Sequence, residues 1–74
     1  METKIKEIIS SVFEVDAATI SESTLLSDFV TYDSLRFVNL LAALEEEFNC
    51  TIDYEAIQNL KSYKEIVELI TKLQ

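Results

Sequence analysis

Glycine, proline and histidine are absent from this sequence of 74 residues, and cysteine occurs once. Without histidine the chain has no Ser/His or Cys/His nucleophile pair and no imidazole ligand for a metal. Without glycine, neither a phosphate-cradling P-loop nor an EF-hand turn is available in its usual form. The lone Cys50 has no partner for an internal disulfide, which suits a reducing compartment. With no histidine to pair with it, Cys50 reads as a small, partly buried apolar residue rather than a nucleophile. Long apolar runs are missing as well. Lys4, Lys6 and Glu7 interrupt the apolar residues near the N-terminus, so neither a signal-peptide core nor a membrane-spanning segment is expected. These absences predict a cytoplasmic protein with no catalytic residue and no metal site.

Positive charge is also scarce. Six Lys and Arg residues face fourteen Asp and Glu residues, a formal net charge of −8. Between Ile8 and Leu60 the one cation is Arg36; the lysines lie at positions 4, 6, 61, 64 and 72. An acidic middle repels nucleic acid and anionic lipid and favours encounter with basic patches on other proteins. The same excess of carboxylate also keeps a small domain dispersed, and charge alone does not separate the two readings. Glu45, Glu46 and Glu47 would point about 100° apart around a helix, which suits a solvated face better than a cation site.

Hydrophobic residues make up 49% of the chain, and their spacing is helical. One domain spanning residues 1–74 is expected, with a core that supplies on the order of 3–5 kcal/mol. Ile5, Ile8, Ile9, Val12 and Phe13 form one stripe on a helix from about Thr3 to Val15. From Asp16 to Tyr32 the periodicity fails, and Ile20, Leu25, Leu26 and Phe29 are expected to pin this long loop to the core. A loop this long in a compact domain is usually functional. Helix two is predicted from Ser34 to Phe48, with Asp33 as N-cap and Asn49 as its left-handed end. Its apolar residues are Leu35, Val38, Leu41 and Leu44, widened by Phe37, Leu40 and Phe48. A brief third helix is expected around Tyr54 to Asn59. Ser62 and Glu65 then form a capping box for a fourth helix, with Tyr63, Ile66, Val67 and Ile70 on its inner face and Leu73 near its end. The predicted fold is all-α: a four-helix bundle with a long loop between helices one and two and a short third helix.

Ser34 opens the segment "SLRFVNLLAALEEEF". A hydroxyl in the first turn of a helix lies near unpaired amides and the positive end of the helix dipole, where an attached phosphate would be stabilised. Serine is also simply common at helix starts, and position alone leaves both readings open.

The tripeptide Asp33-Ser34-Leu35, followed in register by "LAALEEEF", together with the size and acidity of the chain, resembles the acyl carrier protein family over essentially the whole sequence. The resemblance implies that Ser34 carries 4′-phosphopantetheine, transferred from coenzyme A by a separate phosphopantetheinyl transferase that supplies the activation a histidine would otherwise provide. The arm's thiol would hold acyl groups as thioesters for fatty-acid or specialised, polyketide-like biosynthesis, and the protein would be a monomer that catalyses nothing itself. Asp33, Leu35, Arg36, Asn39, Glu45 and Glu46 would form the face that meets basic patches on acyl-loading and acyl-processing enzymes. Two alternatives stand beside this: a carrier of aminoacyl groups, and an unmodified helical interaction module.

The sequence departs from the family pattern in three places. "DFVTYDSL" is one residue longer than the usual "DLGxDSL" and lacks its glycine, so the approach to Ser34 is expected to be shaped differently. Arg36 and Asn39 stand where fatty-acid carriers generally have acids, so a partner built for those carriers is expected to dock more weakly. Phe37, Ile57 and Ile66 stand where such carriers line a chain-sheltering pocket with small residues, which implies short or polar cargo, or a long chain held mainly by the partner enzyme.

Overall fold

The computed structural model describes residues 1–53, 55 and 62–74. Three helices organise them: α1 (Glu2–Phe13), α2 (Ser34–Phe48) and α3 (Tyr63–Leu73), with 3-10 turns at Ala17–Thr19 and Leu26–Asp28 between the first two. The observed α3 is the fourth helix of the sequence reading. Of the predicted third helix at Tyr54 to Asn59 only Glu55 is described; the rest of it, with the pocket position Ile57, lies outside the described residues. The described architecture is therefore an all-α bundle of three major helices.

One apolar core runs from Ile5 to Ile70. α1 contributes Ile5, Ile9 and Phe13, α2 contributes Phe37, Leu40, Leu41 and Leu44, and α3 contributes Tyr63, Ile66 and Ile70. Each such side chain gains about 1.5–3 kcal/mol on leaving water. Among the described residues no polar or charged side chain is buried.

α2 differs from its expected orientation. Leu35 and Val38 are 70% and 44% exposed, while Phe37 is 2% exposed. Both stripes have helical spacing. The one carrying Phe37 turns inward because its ring meets Tyr32, centroids 6.3 Å apart, which in turn stacks on Phe13 at 6.0 Å.

α1 ends at Phe13, two residues earlier than its apolar pattern suggests, because Glu14 is left-handed (φ 56°, ψ 46°) and its N–H donates to Ser10 O. The Val15 N–H donates to the same oxygen at 3.1 Å. α2 closes in the same way on Asn49 (φ 51°, ψ 53°), with Cys50 N–H on Glu45 O at 3.2 Å. Asparagine tolerates this conformation well; glutamate does so at greater cost.

The long connection is anchored at Ile20 and Leu26, both buried, and partly at Phe29, whereas Leu25 is 43% exposed. Leu25 serves the fold through its backbone instead. It bridges Ser62, and the Tyr63 N–H donates to Thr24 O at 2.9 Å, tying the loop to the start of α3. There Ser62 and Glu65 complete the expected capping box. The Tyr63 ring is buried, with its hydroxyl donating to Glu2 Oε1 at 3.3 Å and Lys6 Nζ lying 5.5 Å from the ring centroid. Burial, and then the Glu2 carboxylate, push its pKa up to about 12.

Candidate functional site

Ser34 is the first residue of α2 and is exposed. Asp33 before it is extended, and its Oδ1 accepts the Arg36 N–H at 2.7 Å. Its carbonyl accepts the Phe37 N–H at 3.1 Å, the first bond of the helix. The amides of Ser34 and Leu35 precede that bond, so helix geometry gives them no partner within α2. A phosphodiester on the Ser34 hydroxyl would sit against these donors and the positive end of the helix dipole. The residues present therefore fit a phosphate-linked arm.

The approach to Ser34 is built on the C-terminal end of α1. Thr31 Oγ1 donates to Phe13 O at 2.6 Å, and the Phe29 and Tyr32 rings both pack on the Phe13 ring at centroid distances of 5.4 and 6.0 Å. Among the described residues only Glu14 and Asn49 have positive φ. The segment preceding Ser34 thus needs no left-handed residue, and the missing glycine is not required by this backbone.

Arg36 lies beyond Ser34, and its side chain turns back onto α1. Nη1 donates to Val12 O at 2.7 Å, and Nη2 pairs with the Glu14 carboxylate at 3.2 Å. The one cation of the middle of the chain is engaged with the end of a neighbouring helix, where the dipole is negative and carbonyls lack intrahelical partners.

The other residues singled out from the sequence separate into two groups. Leu35, Asn39 and Glu46 are exposed, and with Val38 and Ala42 they share one outward stripe at the i, i+3, i+4 spacing. Glu45 is half-buried, and its Oε2 accepts the Ile52 N–H at 2.6 Å. Sequence reasoning missed the roles of Thr31, Glu14 and the Val12 carbonyl. Their partners lie 18 to 24 residues away, so no local pattern marks them.

A family model described as "Phosphopantetheine attachment site" matches residues 3–70. An acyl carrier protein from Buchnera aphidicola subsp. Baizongia pistaciae is 39% identical over 72 residues, covering 97% of this chain and 92% of that protein. Another from Petrotoga mobilis is 33% identical over 69 residues, covering 93% and 81%. Among solved structures, holo acyl carrier protein from Geobacter metallireducens superposes with a TM-score of 0.84 at 25% identity, covering 97% of this chain and 83% of that one. Since both sequence and fold match across α1, α2 and α3, the chain belongs to the acyl carrier protein family, carrying acyl groups on a 4′-phosphopantetheine arm and catalysing no reaction of its own.

Proposed function

We propose that Ser34 is the attachment point of the arm and that the stripe Leu35, Val38, Asn39, Ala42 and Glu46 meets the partner enzymes. The observation that carries the reading is an exposed hydroxyl on the open first turn of a helix whose cap residue and outward face are already formed. When attached, the arm supplies a thiol that holds an acyl group as a thioester.

The chain's own residues supply a fixed platform. Asp33 orders the first turn, and Leu35 offers an apolar contact beside the serine. Glu46, farther along the same stripe, offers negative charge to a basic patch. Asp33, Arg36 and Glu45 contribute to docking through the shape they give the site, since their side chains are engaged within the fold. The partners are a phosphopantetheinyl transferase and the acyl-loading and acyl-processing enzymes of fatty-acid or polyketide-like biosynthesis. A single carrier domain over residues 1–74 is supported by the one core from Ile5 to Ile70. Short or polar cargo is supported by the bulk of Phe37 and Ile66, 2% and 0% exposed, which fill space an alkyl chain would need.

The test is co-expression with a broad-specificity transferase followed by intact-mass measurement. Wild type gains one phosphopantetheine, and Ser34→Ala gains none while keeping its helical circular dichroism. A modified Ser34→Ala variant, or a wild type that is never modified, would sink the assignment. The latter result favours the unmodified interaction module.

A further inference from the structure

The residues that straddle Ser34 bond to consecutive carbonyls of a different helix. Thr31, three positions before the serine, reaches Phe13 O at 2.6 Å, and Arg36, two positions after it, reaches Val12 O at 2.7 Å. Between them Tyr32 lies parallel to the Phe13 ring, interplanar angle 5°. The receiving end of α1 is itself set by the left-handed Glu14, whose carboxylate holds Arg36 Nη2 at 3.2 Å, and by a hydrogen bond from Ser10 Oγ to Val15 O.

We infer that Thr31 and Arg36 form a two-point clamp that fixes the first turn of α2, and with it the Ser34 hydroxyl, against the C-terminal end of α1. Both are positioning residues for arm attachment; neither is a docking charge. The inference rests on Ser34 being the attachment point only for its kinetic consequence.

Three features support the clamp. Arg36 is 33% exposed at its side chain, so a bond to a partly buried carbonyl and a carboxylate replaces the solvation a surface guanidinium would otherwise keep. The carbonyls at a helix end need outside donors, and the neighbouring α2 supplies one to α1 in return for its own placement. Ser34 has no side-chain anchor of its own among the described residues, and Asp33 ties it only to its own helix. The orientation of the hydroxyl relative to the core is set by the two flanking contacts. An acid placed at Arg36 would meet the negative end of the α1 dipole and the Glu14 carboxylate, so making the site more acidic there would loosen the clamp rather than improve docking.

The experiment compares Arg36→Met, Thr31→Val and Arg36→Lys with Ile70→Val, a distal core change chosen to lower stability comparably. Amide hydrogen exchange of residues 33–37 and the kcat and KM of arm transfer by a broad-specificity transferase are measured on each folded variant. Loss of a charge-assisted hydrogen bond is expected to raise local exchange about tenfold in Arg36→Met. Transfer should lose kcat several-fold with KM nearly unchanged, and Arg36→Lys should recover part of both effects. Ile70→Val should leave exchange at 33–37 in step with the rest of the chain. The clamp is refuted if exchange at 33–37 in Arg36→Met rises no more than in Ile70→Val. It is also refuted if Arg36→Met lowers KM with kcat unchanged, the response of a repulsive surface charge. If wild type takes no arm at all, Ser34 is misassigned, and the exchange data still decide the clamp.

Discussion

The two ends of α2 are both held by polar contacts, but over different distances along the chain. At the Ser34 end, Arg36 and Thr31 reach carbonyls of α1 that lie 24 and 18 residues away. At the other end, Asn49 turns the chain out of the helix, and Glu45 receives an amide only seven residues on, that of Ile52. The contrast separates two tasks. A local device suffices to end a helix, whereas the role proposed for Ser34 asks for contacts that refer the start of the helix to the rest of the core.

The comparison breaks most severely if the core beneath the Ser34 end is removed. Phe37→Ala deletes the ring that carries Tyr32, at a cost of about 3–5 kcal/mol, comparable to the whole stability of a domain this small. Circular dichroism should show the chain largely unfolded at 25 °C. A cooperative urea transition close to wild type would mean that the Phe37 side is not the principal core.

The contact between α1 and α3 sharpens the comparison, because it responds to pH. With Tyr63 pushed up to about 12 from an unfolded value near 10, the fold favours the neutral phenol. Its contribution is complete below pH 10 and is lost as pH rises towards 12, of order 2 kcal/mol in all. Urea melts across pH 9–12 on wild type and Tyr63→Phe should show the steeper alkaline decline in wild type. Parallel declines would remove Tyr63 as the cause.

At the far end of α2, Glu45→Ala should cost about 1–2 kcal/mol by stripping the Ile52 amide of its acceptor. Glu46→Ala, on the exposed stripe, should change stability by less than about 0.5 kcal/mol while weakening capture by a basic partner enzyme. Chemical denaturation and a binding titration on the two variants read both effects. Equal destabilisation by the two would undo the division between a glutamate engaged in the fold and one available for docking.

The smallest effects concern the two helix ends without glycine. Glu14→Gly relieves a left-handed glutamate but gives up the Arg36 pair, so a gain of no more than about 1 kcal/mol is expected. Asn49→Gly should shift stability by only a few tenths, since asparagine already suits the conformation. Urea midpoints with an unchanged slope would measure both. A larger gain at Asn49 would reverse the ranking of strain.

What could be read from the sequence follows the same local and long-range division. The limits of α2, its Asp33 cap, the Asn49 end and the Ser62/Glu65 box are all written within four or five residues, and each stands in the structure as its local chemistry dictates. The inward turn of Phe37 was not legible, because two apolar stripes satisfied one period and only the aromatic neighbours Tyr32 and Phe13 choose between them. Arg36 illustrates the difficulty most fully. As the one cation in an acidic stretch it reads as a surface charge, and only the tertiary placement of Val12 and Glu14 shows that it is spent on holding two helices together. The place of Ser34 on the first turn of α2 was legible through the residues around it, whereas the contacts of Thr31 and Arg36 with α1 were not.

The central claim, that Ser34 carries the arm, is tested most directly by locating the modification. Trypsin cleaving after Lys6 and Arg36 releases residues 7–36, a peptide that contains Ser34 together with Ser10, Ser11, Ser21, Ser23 and Ser27. Fragmentation of this peptide from transferase-treated protein should place the whole phosphopantetheine mass on Ser34. A modified fragment ending before Thr31, or an unmodified fragment that includes Ser34, would contradict the account.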